Sequence, residues 1–417
     1  MLTETTPTLL SAVLRKEIKL RIRIDFFRFL ALCAIFSLGT NVLAQNSVAE
    51  LHKTLLDKAG FLESDFAILE QGKTVVHLLP VKHKREVAVC GLIKLGVPAE
   101  MFLESFLQTM TEKNNQAILE IGRFSSAPIL ADLQGLTFED RDIEDLKECV
   151  TGACKMKLSA AMIERLHAEV DWQAPDYRSQ ANRLLKIMLL DYVRDYLSRG
   201  DDALIEYHDK AQAVRLGDEH RALMGSTTYL NQQFQGFMKS EVSLMENVIV
   251  WSKIKFGLKP VIAFNHIMVY KRVQQSGPQI LVASKQIYAN HYFDASLGLT
   301  AFVQVAGVHP QAYLFYENRS RADGLEGAFS KIKRGIVEER AVEGLETILE
   351  DSRARLHARS SSAANAASTS GEEWSLGHWK LGRVRLFALL FLITAFAALF
   401  TFRNYKWKAS LSGQAPP

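Results

Sequence analysis

Seventeen consecutive residues near the C-terminus carry no charge, and this run constrains the chain more than any other feature. Residues 386–402 read LFALLFLITAFAALFTF, with Arg385 directly before the run and Arg403 directly after it. As a helix, the run is roughly 25 Å long, at the short end of what spans a bilayer. The long stems of the flanking arginines can reach the lipid headgroups and extend this length. We therefore expect residues 386–402 to form a transmembrane helix rather than a core helix of a globular domain.

A shorter apolar segment lies near the N-terminus. Residues 29–38 form an apolar run that follows several basic residues, and residues 42–44 (Val-Leu-Ala) fit the small-x-small rule for signal-peptide cleavage. The run is too short to span a bilayer and has the length of a signal-peptide core. We expect residues 1–44 to be a signal peptide, with an uncleaved N-terminal anchor as the alternative. Export would leave the body outside the cytoplasm, periplasmic or extracellular, and the tail at 403–417 inside it.

Residues 357–375 separate the body from the predicted span. They include SSSAANAASTSGEE and contain no aliphatic side chain larger than alanine. Because such a segment cannot bury a core of its own, we predict a flexible linker. The body would then be one exported domain at 45–356, held at the cell membrane by a single C-terminal span.

The distribution of charge argues against a nucleic-acid partner. The chain has 50 Lys and Arg residues against 46 Asp and Glu residues, a net charge of +4. Residues 376–417 contain six of the basic residues and no acid, and further basic residues precede the N-terminal apolar run. The body between the two ends is therefore slightly acidic, whereas nucleic-acid-binding domains present a basic surface.

Apolar periodicity predicts an α+β body. Residues 85–107 read REVAVCGLIKLGVPAEMFLESFL, typical of a strand followed by a helix that opens at Pro98. Further strands are predicted at 73–79 and 117–124. A helical block follows, with Ser159 as an N-cap and a long helix at 177–197. Four segments rich in β-branched and aromatic residues follow, at 259–271, 279–288, 297–305 and 311–316. Their short connections predict an antiparallel meander. Residues 323–356 predict one long C-terminal helix.

This order of elements resembles the helix-grip fold of START-domain and polyketide-cyclase-like proteins. The resemblance rests on residues 85–107 and 259–356, about half of the body. It implies a curved antiparallel sheet that grips the long C-terminal helix, with an apolar cavity between them as the ligand site. Residues 127–250 depart from the family's pattern, and we expect them to form a helical insertion.

Polar residues are concentrated at two places in the predicted meander. One is SKQIYANHYFD, which contains Lys285, Tyr288, His291 and Tyr292, and the other is ENRSRAD, which contains Arg319. In a regular strand, Lys285 and His291 share one face and Tyr288 and Tyr292 share the other. If the long helix closes a cavity, its apolar stripe faces the sheet. The stripe consists of Leu325, Phe329, Ile332, Ile336, Leu345, Ile348, Leu349 and Leu356. The predicted ligand-binding residues are Lys285, Tyr288, His291, Tyr292, Arg319, Phe329 and Ile332.

Motifs that specify a reaction are missing from the sequence. The chain contains no GxSxG, no HExxH and no P-loop motif, and the pair Cys149 and Cys154 is not followed by a second Cys/His pair at zinc spacing. We therefore expect no cofactor and favour a membrane-anchored exported protein that holds a lipid or other apolar small molecule. One alternative is an enzyme of the same fold, with Tyr288, His291 and Tyr292 acting on a carbonyl or ester substrate. Another is a structural or interaction protein of the cell envelope.

The cysteines bear on the compartment. Cys149 and Cys154 enclose Val-Thr-Gly-Ala, a turn-like sequence, and a disulfide between them would suit an exported domain. Two separate thiols are the alternative. Cys90 lies within VAVCGLI and is expected to be a buried small hydrophobic residue.

Overall fold

The computed structural model describes residues 53, 55–57, 59–113, 117–226, 242–256, 259–274, 277–305, 311–326 and 330–369. Within them the chain forms two compact units: a helical unit, residues 124–226, and a sheet unit, residues 53–123 and 242–369. No helix among the described residues is long and apolar enough to cross a membrane. The predicted signal peptide, transmembrane helix and tail lie outside the described residues.

The sheet unit is built around eight antiparallel strands in the order β1-β2-β8-β7-β6-β5-β4-β3. In chain order the strands are β1 (Val75–Leu78), β2 (Glu86–Leu95), β3 (Ile118–Arg123), β4 (Ser243–Ile254), β5 (Val261–Gln274), β6 (Gly277–Ala289), β7 (Phe293–Val305) and β8 (Gln311–Ala322). The helices of this unit whose bounds the structure describes are α1 (Glu63–Glu70), α2 (Ala99–Thr109) and α7 (Ser330–Thr369). The α+β class, the antiparallel sheet and the long C-terminal helix are thus confirmed.

Helices α2 and α7 pack on one face of the sheet, which we call the inner face. Alternate strand residues point to it, among them Val87 and Val89 of β2 and Ile267 and Val269 of β5, as the two-residue period of a strand requires. The ring of Phe102 in α2 stacks on Phe302 of β7 at 4.7 Å between centroids. This continuous apolar cluster is the main core of the sheet unit.

The opposite, outer face carries a second apolar cluster beneath α1. Phe66 and Leu69 of α1 pack there with Cys90 of β2 and Phe315 of β8. Cys90 is fully buried, as expected, and burial raises the pKa of its thiol. Both faces of the central strands are therefore covered by protein.

Helix α7 extends well beyond its predicted end. Residues 357–369, expected to belong to a flexible linker, continue the helix. Alanine has the highest helix propensity, which favours this extension. The hydroxyls of Ser361 and Ser362 bond to the carbonyls of His357 and Ala358 four residues earlier, which is one way that serine is accommodated inside a helix. The absence of large aliphatic side chains excludes a core, but it does not exclude an exposed helix.

The helical unit contains four helices and a two-stranded ribbon among its described residues. The helices are α3 (Asp140–Leu146), α4 (Ala160–Glu169), α5 (Tyr177–Arg199) and α6 (Leu216–Ser226), and the ribbon pairs Glu206–Tyr207 with Val214–Arg215. The hydroxyl of Ser159 caps α4 by accepting a hydrogen bond from the Met162 amide at 3.2 Å, as predicted. The structure joins Cys149 and Cys154 in a disulfide.

The predicted insertion at 127–250 is too long at its C-terminal end. Residues 243–254 form β4 of the large sheet, where Val248 and Val250 face inward and Trp251 faces outward. Both faces of β4 are buried from Val248 onward, so its sequence lacks the alternation of a half-exposed strand.

Candidate functional site

A β-bulge in β6 changes the faces on which the predicted site residues lie. Lys285 pairs with His266 and Tyr288 with Phe264, so both Lys285 and Tyr288 face outward. The register shifts by one residue between these two pairs. An extra residue in one strand reverses the alternation beyond it. The prediction that Lys285 and Tyr288 lie on opposite faces is therefore wrong.

Arg319 lies in a buried ion-pair cluster on the outer face. Its Nη1 is 2.9 Å from Oε1 of Glu86 on β2, and its Nε is 2.8 Å from Oε1 of Glu317 on its own strand. Arg321 adds a longer contact of 3.7 Å to Glu86. Removing one member of such a cluster leaves an uncompensated buried charge. These contacts give Arg319 a structural role in joining β2 to β8.

Lys285 lies in the same outward row, with Leu297 of β7 between it and Arg319. Lys285 is 2% exposed, and its strand neighbour His266 is 3% exposed. The Asn247 Oδ1 accepts a hydrogen bond of 2.5 Å from the His266 Nε2. Burial, with the nearby charge of Lys285, lowers the pKa of His266 to about 3. His266 is therefore a neutral, hydrogen-bonded strand residue at neutral pH.

His291 and Tyr292 form the turn between β6 and β7. Tyr292 has a φ of 60°, a left-handed conformation that costs energy in a residue other than glycine. The turn is held there because the Lys259 amide donates to the Tyr292 hydroxyl at 3.1 Å and the Asp323 amide donates to the Tyr292 carbonyl at 2.9 Å. The Tyr292 ring packs on Phe256 at the edge of the inner core.

Two residues of the predicted site, Phe329 and Ile332, belong to the predicted C-terminal helix. Phe329 lies outside the described residues. Ile332 is 62% exposed, so the prediction that it faces the sheet is wrong. Helix positions turn by about 100° per residue, which puts Ile336 about 180° away from Leu345. The predicted apolar stripe of α7 therefore combined two different faces, of which only the one with Leu345 packs on the sheet.

The inner face contains a group of uncharged polar residues that the sequence analysis missed. We call it the polar patch. It spans β5 to β8 and consists of Asn265, Ser284, Gln286, Ser296, Thr300, Tyr316, Asn318 and Ser320. All but Ser284, which is half-buried, are buried. A sequence signal exists, since polar residues recur at every second position of strands that are otherwise apolar.

One side of the polar patch is internally hydrogen-bonded. The hydroxyls of Ser296 and Ser320 are 2.8 Å apart, and the Asn318 Nδ2 donates to the Ser296 Oγ at 3.1 Å. The Ser320 hydroxyl in turn donates to the Asn318 Oδ1 at 2.7 Å. Burial raises the pKa of Tyr316 well above its ordinary value, so its hydroxyl stays protonated.

The other side of the patch has polar atoms with no partner. The Asn265 Oδ1 and the Ser284 Oγ are both buried, and neither has a hydrogen-bond partner within the described part of the chain. A buried polar atom in this condition costs about 1–3 kcal/mol. The two residues lie on neighbouring strands and point to the same face.

Gly298 lies at the centre of the patch and has space for one added methyl group. A Cβ at this position would lie 3.5 Å from the Tyr316 hydroxyl and 3.7 Å from both the Asn318 Nδ2 and the Ser284 Cβ, all ordinary contact distances. These three nearest atoms belong to neighbouring strands. A glycine inside a strand is typical of a place where a ligand or another backbone approaches closely.

Metal chemistry has no support in the described residues, which contain no group of three or more His, Cys, Asp or Glu side chains able to hold a metal ion. In comparisons with protein-family models, curated proteins and solved structures, nothing matches this chain. The resemblance to helix-grip proteins therefore stays a prediction.

Proposed function

We propose that the sheet unit binds a lipid or other largely apolar small molecule that carries an uncharged hydrogen-bonding group. The observation that carries this proposal is the pair of buried, unpartnered atoms in the polar patch, the Asn265 Oδ1 and the Ser284 Oγ. A ligand hydroxyl or amide at this position would satisfy both atoms and recover the free energy that their burial costs.

The surroundings of the patch support a mostly apolar ligand. Val89, Ile267 and Val282 belong to the same inner-face cluster and pair with Asn318, Ser284 and Thr300 of the patch. The patch itself contains no charged side chain, and a buried ionic group would need a partner of opposite charge. A ligand with an apolar body and a neutral polar group fits these surroundings. The proposal also agrees with the expectation from the sequence that a binding cavity lies under the C-terminal helix.

The predicted membrane attachment is compatible with this proposal. A signal peptide at 1–44 and a span at 386–402 would hold the unit beside a source of lipid. The enzyme alternative has less support, because Tyr288 faces outward whereas Tyr292 packs against the inner core. The two tyrosines proposed to act together therefore do not share one face.

Gly298→Ala tests the proposal. The full-length chain and the variant are purified in parallel, extracted with organic solvent, and the extracts compared by mass spectrometry. We expect the wild-type protein to release a neutral, largely apolar molecule and Gly298→Ala to release several-fold less, because the added methyl group occupies the room above Gly298. The variant should fold, since its Cβ meets only ordinary contacts and alanine is favoured over glycine in a strand.

Gly225→Ala is the matched control, because a Cβ at Gly225 in α6 meets nothing within 4 Å. It should retain the wild-type amount of bound molecule. Equal retention by Gly298→Ala and the wild type would contradict the proposed site, and a wild-type protein without any extractable molecule would contradict the function.

A further inference from the structure

The helical unit contains an open cleft of about 650 Å³ between α5 and the segments that precede it. One wall is a single face of α5, with Arg178, Asn182 and Lys186 at four-residue spacing and Arg183 beside them. The opposite wall includes Leu130, on a short 3₁₀ helix at Leu130–Leu133, and Ile143 of α3. The volume lies in the range of small-molecule sites, about 300–1,000 Å³.

The α5 wall is basic. Three of the lining residues are cationic, and Asp140 is the one acid among them. Arg178 forms an ion pair with Glu144. Arg183 is exposed and has no ion pair within the described residues, and the Lys186 Nζ lies 3.4 Å from the Gln134 carbonyl oxygen at the cleft. Arg183 and Lys186 are three residues apart on α5, so they are neighbours on the helix surface, and both line the cleft.

The opposite wall is apolar at its centre. Leu130 is 38% exposed although it is a large aliphatic residue, and the neighbouring Ala131 is also exposed, whereas Ile143 is buried. A cleft with an apolar wall opposite a basic wall suits a molecule that has both kinds of surface.

We infer that this cleft binds a small organic carboxylate with an apolar body. Its carboxylate would be held by Arg183 and Lys186 through charge-assisted hydrogen bonds, and its apolar body would lie on the exposed side chains of Leu130 and Ala131. This site is separate from the polar patch and takes a charged ligand where the patch takes a neutral one, so it does not depend on the function proposed above.

Three ligands with the same alkyl chain and different head groups test the inference. Decanoate, decan-1-ol and decyltrimethylammonium are titrated into the full-length chain by isothermal titration calorimetry. In the Gly298→Ala background, where the polar patch is blocked, we expect decanoate to bind at least tenfold more tightly than the other two, and added salt to weaken it because the cleft is open to solvent. In the double variant Arg183→Gln, Lys186→Gln, decanoate affinity should fall at least tenfold.

Arg221→Gln is the matched control, since Arg221 is an exposed basic residue of α6 that does not line the cleft. It should leave decanoate binding unchanged, as should Gly298→Ala. Equal affinity for the three ligands, no decanoate binding, or unchanged binding in the double variant would each overturn the inference. Loss of decanoate binding in Gly298→Ala would also overturn it, because the ligand would then lie in the sheet unit.

Discussion

Two glycines on the inner face of the sheet mark two regions with different roles. A Cβ at Gly91 in β2 would lie 2.5 Å from the Leu349 Cδ1 and 3.1 Å from the Leu345 Cδ2, so α7 packs directly on this strand. At Gly298 in β7, the nearest atoms belong to Tyr316, Asn318 and Ser284 on neighbouring strands. The face around Gly91 stabilises the fold, whereas the face around Gly298 carries polar groups that the described residues only partly satisfy.

The two ends of helix α7 also differ in how they are held on the sheet. Leu345, Leu349 and Leu356 are each 1% exposed, while Ile332 and Ile336 near the N-terminus of the helix are exposed. The C-terminal part is therefore held by apolar packing on the sheet. The beginning of the helix is fixed differently, for example by Arg334, which donates a hydrogen bond of 3.0 Å to the Glu86 carbonyl oxygen.

The largest expected effect separates these two parts of α7. Leu349→Ala should lower the free energy of unfolding by about 2–5 kcal/mol, because it removes a fully buried side chain above Gly91 and leaves a cavity. Ile332→Ala should change it by less than about 0.5 kcal/mol, since the side chain is already in solvent. Urea denaturation of both variants measures the difference. Similar losses in the two variants would show that the two ends of α7 are not distinct.

The sequence predicted most of the secondary-structure elements well. Periodicity located β2, α2 and the four strands of the meander, because apolar residues at regular spacing are what these elements need to bury. The turn-like Val-Thr-Gly-Ala sequence likewise pointed to the pairing of Cys149 with Cys154, which the structure joins. These features depend on residues close together in the chain.

The candidate site was less accessible to prediction. The bulge in β6 depends on how β5 and β6 pair, and nothing in the local sequence SKQIYANHYFD marks it. The sequence analysis also favoured charged residues, and Lys285 and Arg319 lie on the outer face. The polar patch is uncharged and lies on the inner face. The face of α7 that packs was recoverable from the sequence, because Ile332 and Leu345 do not share a helical face.

A second test compares two adjacent residues on opposite faces, Asn265 inward and His266 outward. His266 has an ordinary pKa of 6.5 and a folded-state pKa of about 3. Its contribution to stability is fully present above pH 6.5 and is lost as pH falls from 6.5 toward 3, because the unfolded chain takes up the proton first. In that window the loss approaches about 1.4 kcal/mol per pH unit for one proton.

His266→Gln should therefore flatten the decline in stability between pH 6.5 and pH 4 relative to the wild type, measured by urea denaturation at several pH values. Glutamine can still donate to the Asn247 Oδ1, so the strand contact is kept. His357→Gln, at an exposed position of α7, serves as the control and should leave the pH profile unchanged. Identical profiles for His266→Gln and the wild type would contradict a depressed pKa for His266.

The smallest expected effect distinguishes two serines within the polar patch. The Ser320 hydroxyl bonds to Asn318 and Ser296, so Ser320→Ala should destabilise the protein by about 1 kcal/mol. The Ser284 Oγ has no such partner in the described residues, and Ser284→Ala should leave stability unchanged or raise it by up to about 1 kcal/mol. Both substitutions remove one oxygen from the same sheet face, so urea denaturation of ligand-free protein compares them directly.

Equal destabilisation would mean that the Ser284 hydroxyl already has a hydrogen-bond partner, and the argument for a ligand at Gly298 would lose half of its support. A stabilised Ser284→Ala that also retains less bound molecule is the result expected of a residue kept for binding, because its hydroxyl costs stability in the free protein and recovers it only in the complex.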